Sequence, residues 1–223
     1  MVNDWGVGLP IMLSAFVGTI GFPVLLNIDA TCRRRRGPRF WNLHTKMTLT
    51  SMVIVIAISM LCFLAVEWNN TQIYHQSDIA SKIRDALTAS MMPRTTGFDT
   101  SCMPYMSEPT KGFLSMVMFI GGGSTSTAGG IRVTTLAVLF LICRSVFDGR
   151  AQAMAFHRRI PSTTVRIAIT IAISSLAVVH LATLSLSVVT GRSLSDCLFE
   201  VCSAFSLGGS TLGVGSSDNR GHC

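Results

Sequence analysis

The segment MFIGGGSTSTAGGIRVTT, Met118 to Thr135, places five glycines between two apolar runs, 112–120 and 133–143. Glycine is about 1 kcal/mol less favourable than alanine inside a helix, so this cluster predicts a break in a helix. Backbone groups that a break frees at membrane depth must be buried in protein or line a water-filled cavity. The segment therefore predicts a non-helical stretch in the wall of a polar path across a membrane.

The composition indicates an all-α membrane protein rather than a set of buried helices in a soluble one. Hydrophobic residues make up 49% of the 223 residues, and charged residues only 13%. Three uncharged stretches match or exceed the roughly 20 apolar residues that cross a bilayer core. They are Trp5 to Ile28, in which Pro10, Gly21 and Pro23 predict kinks, Met47 to Val66, and Ile167 to Gly191.

The run Gly112 to Cys143 contains the glycine cluster and carries a single charge, Arg132. At about 1.5 Å per residue, one straight helix of this length would overshoot the membrane. We therefore expect two half-helices joined by a loop, as in the discontinuous helices of transporters.

The net charge of +7 is concentrated in two linkers. One holds Arg33 to Arg36, Arg39 and Lys46, and the other holds Arg144, Arg150, Arg158, Arg159 and Arg166. The linker 67–111 is nearly balanced, so the positive-inside rule predicts that the two arginine-rich linkers are cytoplasmic and that 67–111 is outside. The RRRR run is also typical of nucleic-acid binding, but directly after an apolar span it predicts a topology anchor.

The order of apolar span, short helix and glycine-containing polar loop occurs twice. The first copy has a short helix over 81–92 that ends at Pro93, followed by RTTGFD, and the second has one over 194–205, followed by SLGGS. A re-entrant helix that stops half-way points the negative end of its dipole at the pore, which favours a cation. The glycine lets carbonyl oxygens turn inward and replace the hydration shell of potassium. Together with the broken span, the two copies predict a cation pore.

These segments resemble the Trk/Ktr/HKT superfamily of potassium transporters. The similar stretches are Arg94 to Phe98, Met118 to Val138, Phe199 to Gly209, Ile20 to Pro23 and Leu43 to Lys46. STAGGIR, 126–132, is the most specific of them, and the resemblance runs from the start of the chain to about Gly213. It implies repeated membrane helix–pore helix–membrane helix units of a potassium-channel-like pore, with one broken transmembrane helix, in a multi-pass protein of the cytoplasmic membrane.

The resemblance also implies a selectivity filter, whose backbone carbonyls coordinate K⁺, and a gate inside it. The filter residues of the third and fourth repeats would be Thr95, Thr96, Gly97 and Phe98, and Leu207, Gly208 and Gly209. The gate loop would be Gly121, Gly122, Gly123, Ser124, Thr125, Ser126, Thr127, Ala128, Gly129 and Gly130, followed by Arg132. Gly208 stands where the family has a larger residue, and Thr125 where it usually has glycine.

By resemblance, the chain divides into three parts of a four-repeat pore. Residues 1–46 would be the last helix of the second repeat with a basic cytoplasmic linker, 47–150 the complete third repeat, and 151–223 a fourth repeat without its final helix. Two of four filter loops cannot surround an ion, so a pore fragment that does not conduct alone is expected. Bacterial members form homodimers on a cytosolic nucleotide-binding ring, which the arginine-rich loops would contact. Channel-like flux and Na⁺ or H⁺ coupling both remain open.

Other interpretations stay beside the cation pore. The broken helix could present half-helix N-termini to a small anionic solute in an ion-coupled secondary transporter, although that class does not need the paired short helices. The glycine cluster lacks the Gly-Lys-Ser/Thr ending of a phosphate-binding loop. His180 is either a proton relay or a satisfied histidine, and Arg132 either holds the gate loop or snorkels to the inner interface. Without a catalytic carboxylate pair, a Ser/His/Asp arrangement, a zinc spacing or a cofactor motif in the sequence, we expect a non-enzymatic protein without a cofactor.

Overall fold

The computed structural model describes residues 5–33, 41–68, 79–95, 106–124, 126, 128–149, 154–155 and 158–213. Its helices are α1 (Trp5–Ile20), α2 (Phe22–Arg33), α3 (Leu43–Glu67), α4 (Ile79–Thr95), α5 (Glu108–Phe119), α6 (Val133–Phe147), α7 (Ser162–Thr190) and α8 (Leu194–Ser206). Two short strands, β1 (Met154–Ala155) and β2 (Arg158–Arg159), pair antiparallel. Apart from this hairpin, the regular structure in the described ranges is helical, which agrees with the predicted all-α class.

Two of the predicted spans are continuous helices. α3 has 25 residues and α7 has 29, and both are long and apolar enough to cross a bilayer. α7 is followed by Gly191, whose φ of 65° is a left-handed conformation that glycine adopts without strain. Its apolar side chains remain exposed at several turns, for example Ile173 at 64% and Leu181 at 66%, as expected for a surface that meets lipid or further protein.

The first predicted span is broken more sharply than the expected kinks. α1 and α2 meet at Gly21 with a bend of 96° between Gly8–Ile20 and Phe22–Arg33. The φ of Gly21 is 92°, and a Cβ atom there would lie 2.3 Å from the carbonyl oxygen of Ser124. The single kinked span over 5–28 is therefore corrected to two helices, because a contact with a distant segment holds the backbone at Gly21 in a conformation that few other residues adopt.

The two short helices lie where the sequence predicts them. α8 begins after Ser193, whose side-chain oxygen accepts a hydrogen bond from the Asp196 N–H at 3.2 Å, a typical N-cap. α4 continues through Pro93 to Thr95, although the sequence predicts an end at Pro93. Because Pro93 falls in the final turn of α4, it removes a single backbone donor near the end of the helix rather than interrupting its middle.

The main core joins the short helices to α3 and α5. Phe63, Leu114, Met118 and Phe199 are each exposed by 2% or less and lie in one cluster. α8 packs against both α5 and α7 in this arrangement. The packed core thereby fixes the C-terminal end of α8 beside the non-helical stretch between α5 and α6.

Candidate functional site

Residues 120–132, hereafter the 120–132 loop, separate α5 from α6 as the glycine cluster predicts. The Gly121 N–H donates to the Ile131 oxygen at 2.8 Å, and the Ile131 N–H donates to the Phe119 oxygen at 3.0 Å. A Cβ atom on Gly121 would lie 1.6 Å from the carbonyl oxygen of Gly129, so this close approach requires glycine. These hydrogen bonds join the two ends of the loop. The C-terminal end of α5 therefore lies close to the N-terminal end of α6.

One side of the loop contacts the break between α1 and α2. The Gly123 N–H donates to the Thr19 oxygen at 2.8 Å. A Cβ atom on Gly123 would lie 2.1 Å from the Ile20 oxygen. The carbonyls of the last turn of a helix have no partner inside the helix, and the loop supplies one for Thr19.

The opposite side of the loop contacts the C-terminal end of α8. The Gly129 N–H donates to the Ser206 oxygen at 2.8 Å, and the Gly130 N–H donates to the Phe205 oxygen at 3.1 Å. A Cβ atom on Gly129 would lie 2.6 Å from the Phe205 oxygen. The loop therefore binds to carbonyls that the last turn of α8 cannot satisfy by itself.

The predicted filter residues of the fourth repeat follow α8 directly. Leu207 adopts a left-handed conformation with φ of 58°, and Gly209 has φ of 69°. The Gly208 N–H donates to the Ser203 oxygen at 2.9 Å, which closes the end of the helix. The backbone therefore turns sharply away from the axis of α8 at the point where the sequence predicts that carbonyl oxygens face an ion.

Side chains of α8 hold the residues that follow Gly209. The Ser203 hydroxyl donates to the Ser210 carbonyl oxygen, and Glu200 Oε1 accepts hydrogen bonds from the Thr211 hydroxyl and the Leu212 N–H. The hydroxyl of Ser210 is buried with no hydrogen-bond partner among the described residues. A buried hydroxyl in this state normally meets a water or an ion.

Other predicted site residues are described only in part. Thr95 is the last residue of α4, and Ser126 accepts a hydrogen bond from the Ala128 N–H at 3.2 Å. Thr96, Gly97, Phe98, Thr125 and Thr127 lie outside the described residues. The structure thus brings the 120–132 loop and the segment 207–209 together, while the filter roles of 95–98 and of 207–209 both stay predictions.

Arg132 precedes the first turn of α6 and reaches back to the loop. Its guanidinium donates to the Ser124 hydroxyl at 3.2 Å, whereas the sequence suggested a contact with loop carbonyls. Arg132, Ser124 and His44 line a cleft of about 420 Å³ between the N-terminal ends of α3, α6 and α7. Arg132 therefore contacts the loop through Ser124, and its role at a gate stays a prediction.

His180 lies on the exposed face of α7. Its ring Nδ1 is 2.9 Å from the carbonyl oxygen of Leu176, one turn earlier in the same helix. This contact agrees with the interpretation of a satisfied histidine, since the ring already has a local partner.

Two acidic residues with structural roles were missed in the sequence. Glu67, fully buried at the end of α3, accepts hydrogen bonds from the Ser107 N–H at 3.0 Å, the Ser107 hydroxyl at 2.6 Å and the Thr110 hydroxyl. Glu200 is the only acidic residue in the apolar stretch 197–205 of a helix predicted to enter the membrane. An acidic side chain within a membrane-embedded apolar stretch costs free energy unless it is paired. This isolated acid in the sequence could therefore have indicated a structural or functional role for Glu200.

Comparisons with known proteins identify the family of this chain. The family model described as "TrkH: Cation transport protein" matches residues 2–220. The Ktr system potassium uptake protein B of Bacillus subtilis is 32% identical, with 96% of this chain and 47% of that protein covered. The Ktr system potassium uptake protein D of the same organism is 30% identical, with 95% and 47% covered.

A solved structure agrees with the fold. The potassium transporter TrkH from Vibrio parahaemolyticus has a TM-score of 0.71 to this chain at 18% identity, with 96% of this chain and 45% of that one covered. The chain thus spans slightly less than half the length of these relatives. This similarity shows that the two chains share a fold over the matched part. The chain belongs to the TrkH family of cation transport proteins, as the resemblance in its sequence implies.

Proposed function

We propose that this chain is part of the pore-forming subunit of a potassium uptake system in the cytoplasmic membrane. The observation that carries this proposal is the attachment of the 120–132 loop to the C-terminal end of α8, directly before Gly208 and Gly209. The C-terminal end of a helix carries a partial negative charge, which favours a cation in front of it. The left-handed backbone at Leu207 and Gly209 suits carbonyl oxygens that turn towards an ion.

In this proposal, K⁺ passes through backbone carbonyls and meets a gate on the inner side. The carbonyls belong to the segments 95–98 and 207–209, which represent the third and fourth of four repeats. The 120–132 loop is the gate, because it is non-helical in its described residues and wedged between α8 and the break at Gly21. The parts 1–46, 47–150 and 151–223 would then correspond to the end of the second repeat, the third repeat and a partial fourth repeat.

A transporter of a small anionic solute is supported by one feature only. Arg132 stands at the N-terminal end of α6 and lines the cleft of about 420 Å³. However, the Val133 N–H of that helix end already donates to the Gly122 oxygen at 3.0 Å. A solute would therefore lose one of the donors that half-helix N-termini normally offer, so the cation pore is the better-supported function.

The subunit would work as a homodimer with a cytosolic nucleotide-binding regulatory subunit. Two relatives carry names of a Ktr system, and the basic linkers of this chain offer a charged surface on the predicted inner side. Arg158 and Arg159, which form the short strand β2, are part of the second basic linker.

The test is potassium uptake by a four-repeat protein completed from this chain. In a host that lacks its own potassium uptake, its expression should restore growth at low K⁺ and net K⁺ entry. Uptake of labelled organic anions in the same cells tests the alternative. A protein that reaches the membrane but restores no K⁺ entry contradicts the proposed function, and solute uptake in its place favours the alternative.

A further inference from the structure

The side chain of Glu200 binds the backbone immediately after Gly209. The Thr211 hydroxyl donates to Glu200 Oε1 at 2.6 Å, and the Leu212 N–H donates to the same oxygen at 2.8 Å. The Gly213 N–H in turn donates to the Thr211 hydroxyl oxygen at 3.0 Å. One carboxylate oxygen of α8 thereby orders three consecutive residues beyond the predicted filter.

Ser203 adds a second attachment on the same face of α8, because residues three apart are neighbours on a helix. Its hydroxyl donates to the carbonyl oxygen of Ser210. α8 itself is held firmly, since Phe199 and Cys202 are buried in the main core at 0% and 3% exposure. The hydrogen bonds of Ser203 and Glu200 therefore hold the segment 210–212 in a fixed position relative to α8.

Leu212 packs against the main core and Ser210 is buried, whereas Gly209 and Thr211 are exposed. Gly208 and Gly209 carry no side chains, and glycine has the greatest backbone freedom of any residue. A cavity of about 460 Å³ adjoins the loop on the side of Glu200 and is lined also by Ser203 and Thr211. The hydrogen bonds to Glu200 and Ser203, rather than dense packing, therefore restrain the loop on this side.

We infer that Glu200 is a positioning residue that sets the preference for potassium over sodium, by bracing the fourth filter loop through Thr211 and Leu212. This inference rests on the proposed potassium function. Selectivity depends on the number and geometry of the carbonyl oxygens around the ion. Hydrogen bonds to an ionised acceptor are roughly twice as strong as neutral ones, so a carboxylate suits this bracing role. Without the brace, the Gly208–Gly209 backbone is free to contract around the smaller sodium ion.

The test is a double-mutant cycle on the ratio of K⁺ to Na⁺ permeability, measured in liposomes with the four-repeat protein. Glu200→Ala removes both bonds to the carboxylate and should lower the ratio roughly tenfold. Thr211→Val removes one of these bonds, together with the bond from the Gly213 N–H, and should lower the ratio roughly threefold. The double variant should have about the same ratio of K⁺ to Na⁺ permeability as Glu200→Ala, because both changes break the same hydrogen-bonded contact. Thr211→Ser keeps the hydroxyl and should leave the ratio of K⁺ to Na⁺ permeability near that of the unmutated protein.

Thr170→Val is the matched control, because the Thr170 hydroxyl donates only to the Arg166 carbonyl oxygen of its own helix among the described residues. It should leave the ratio unchanged. Additive effects of Glu200→Ala and Thr211→Val, or equal ratios for Thr211→Val and Thr211→Ser, would overturn the inference. If Glu200→Ala does not insert, the Thr211 pair decides, since Thr211 is exposed. Failure of the unmutated protein to pass K⁺ instead overturns the proposed function on which the inference rests.

Discussion

The backbone N–H of Gly129 donates a hydrogen bond to the carbonyl oxygen of Ser206 at 2.8 Å. Through this bond and the neighbouring one from the Gly130 N–H to the Phe205 oxygen, the 120–132 loop binds the carbonyl oxygens at the C-terminal end of α8. The same carbonyls carry the negative end of the helix dipole. The loop and a cation in the pore would therefore compete for them, which gives the proposed gate a physical basis.

Deletion of residues 122–128 should raise potassium flux through the four-repeat protein. The deletion removes Gly123, which binds the Thr19 carbonyl beside the Gly21 break, and with it the proposed obstruction. Flux in liposomes, normalised to inserted protein, should increase and depend less on the cytosolic partner. If the deletion variant inserts normally yet conducts no better than its parent, the loop is only a kink.

Gly129→Ala should release the loop from α8 and also raise flux. The new Cβ would lie 2.6 Å from the Phe205 oxygen and 3.2 Å from Leu207 Cγ, so the contact cannot persist without movement. Gly112→Ala is the control, because nothing lies within 4 Å of a Cβ at that helical position. It should leave flux unchanged and stabilise α5 by up to about 1 kcal/mol. Equal flux in Gly129→Ala and Gly112→Ala would show that the contact with α8 does not restrain the gate.

Gly209→Ser should weaken the preference for potassium over sodium. Its φ of 69° lies in the left-handed region, where a side chain adds strain that shifts the carbonyls on either side. Uptake of K⁺ and of Na⁺ in a host deficient in potassium uptake measures the ratio. Gly191→Ser, also left-handed with φ of 65° but at the end of α7, is the control for strain alone. Unchanged selectivity in a well-expressed Gly209→Ser protein argues against its role as a filter glycine.

Glu67→Ala should destabilise the protein without changing ion selectivity. Glu67 is fully buried and accepts hydrogen bonds from Ser107 and Thr110 at the start of α5. Loss of a buried acceptor costs about 1–3 kcal/mol for each donor that it leaves unsatisfied. Thermal unfolding in detergent should shift to lower temperature. Glu108→Ala is the control, since Glu108 is 64% exposed in its ion pair with Lys111, and such pairs contribute about 0–1 kcal/mol. A Glu67→Ala protein as stable as the control contradicts this role.

The predicted topology can be tested at the ends of two helices. In a background without native cysteines, Arg192→Cys, which follows α7, should react with an impermeant thiol reagent from outside. Arg33→Cys, at the end of α2, should react only after the membrane is permeabilised. The expectation follows from the arginine-rich linkers, which the positive-inside rule assigns to the cytoplasm. The opposite labelling pattern is incompatible with this orientation.

Local features of the sequence were sufficient to predict the helices and the main break. The apolar runs within α3 and α7 are long enough to identify spans without any tertiary contact. The glycines at 121–123 and 129–130 disfavour helix wherever they occur, so the end of α5 at Phe119 and the start of α6 at Val133 follow from propensity. The extent of α8 follows similarly from Ser193 as its N-cap and the glycines after Leu207.

Contacts between distant residues decided the rest. The 96° bend at Gly21 depends on a backbone approach to Ser124, about a hundred residues later, which no local pattern encodes. The partners of Glu67 require α3 and α5 to pack together, and the bond from Gly129 to Ser206 accompanies the packing of α5 against α8 through Leu114 and Phe199. The sequence by itself determined which segments are helical and apolar, since propensity and hydrophobic length are local properties. Only the tertiary structure decided which carbonyls, hydroxyls and carboxylates meet, because burial of apolar side chains sets the positions of helices far apart in the chain.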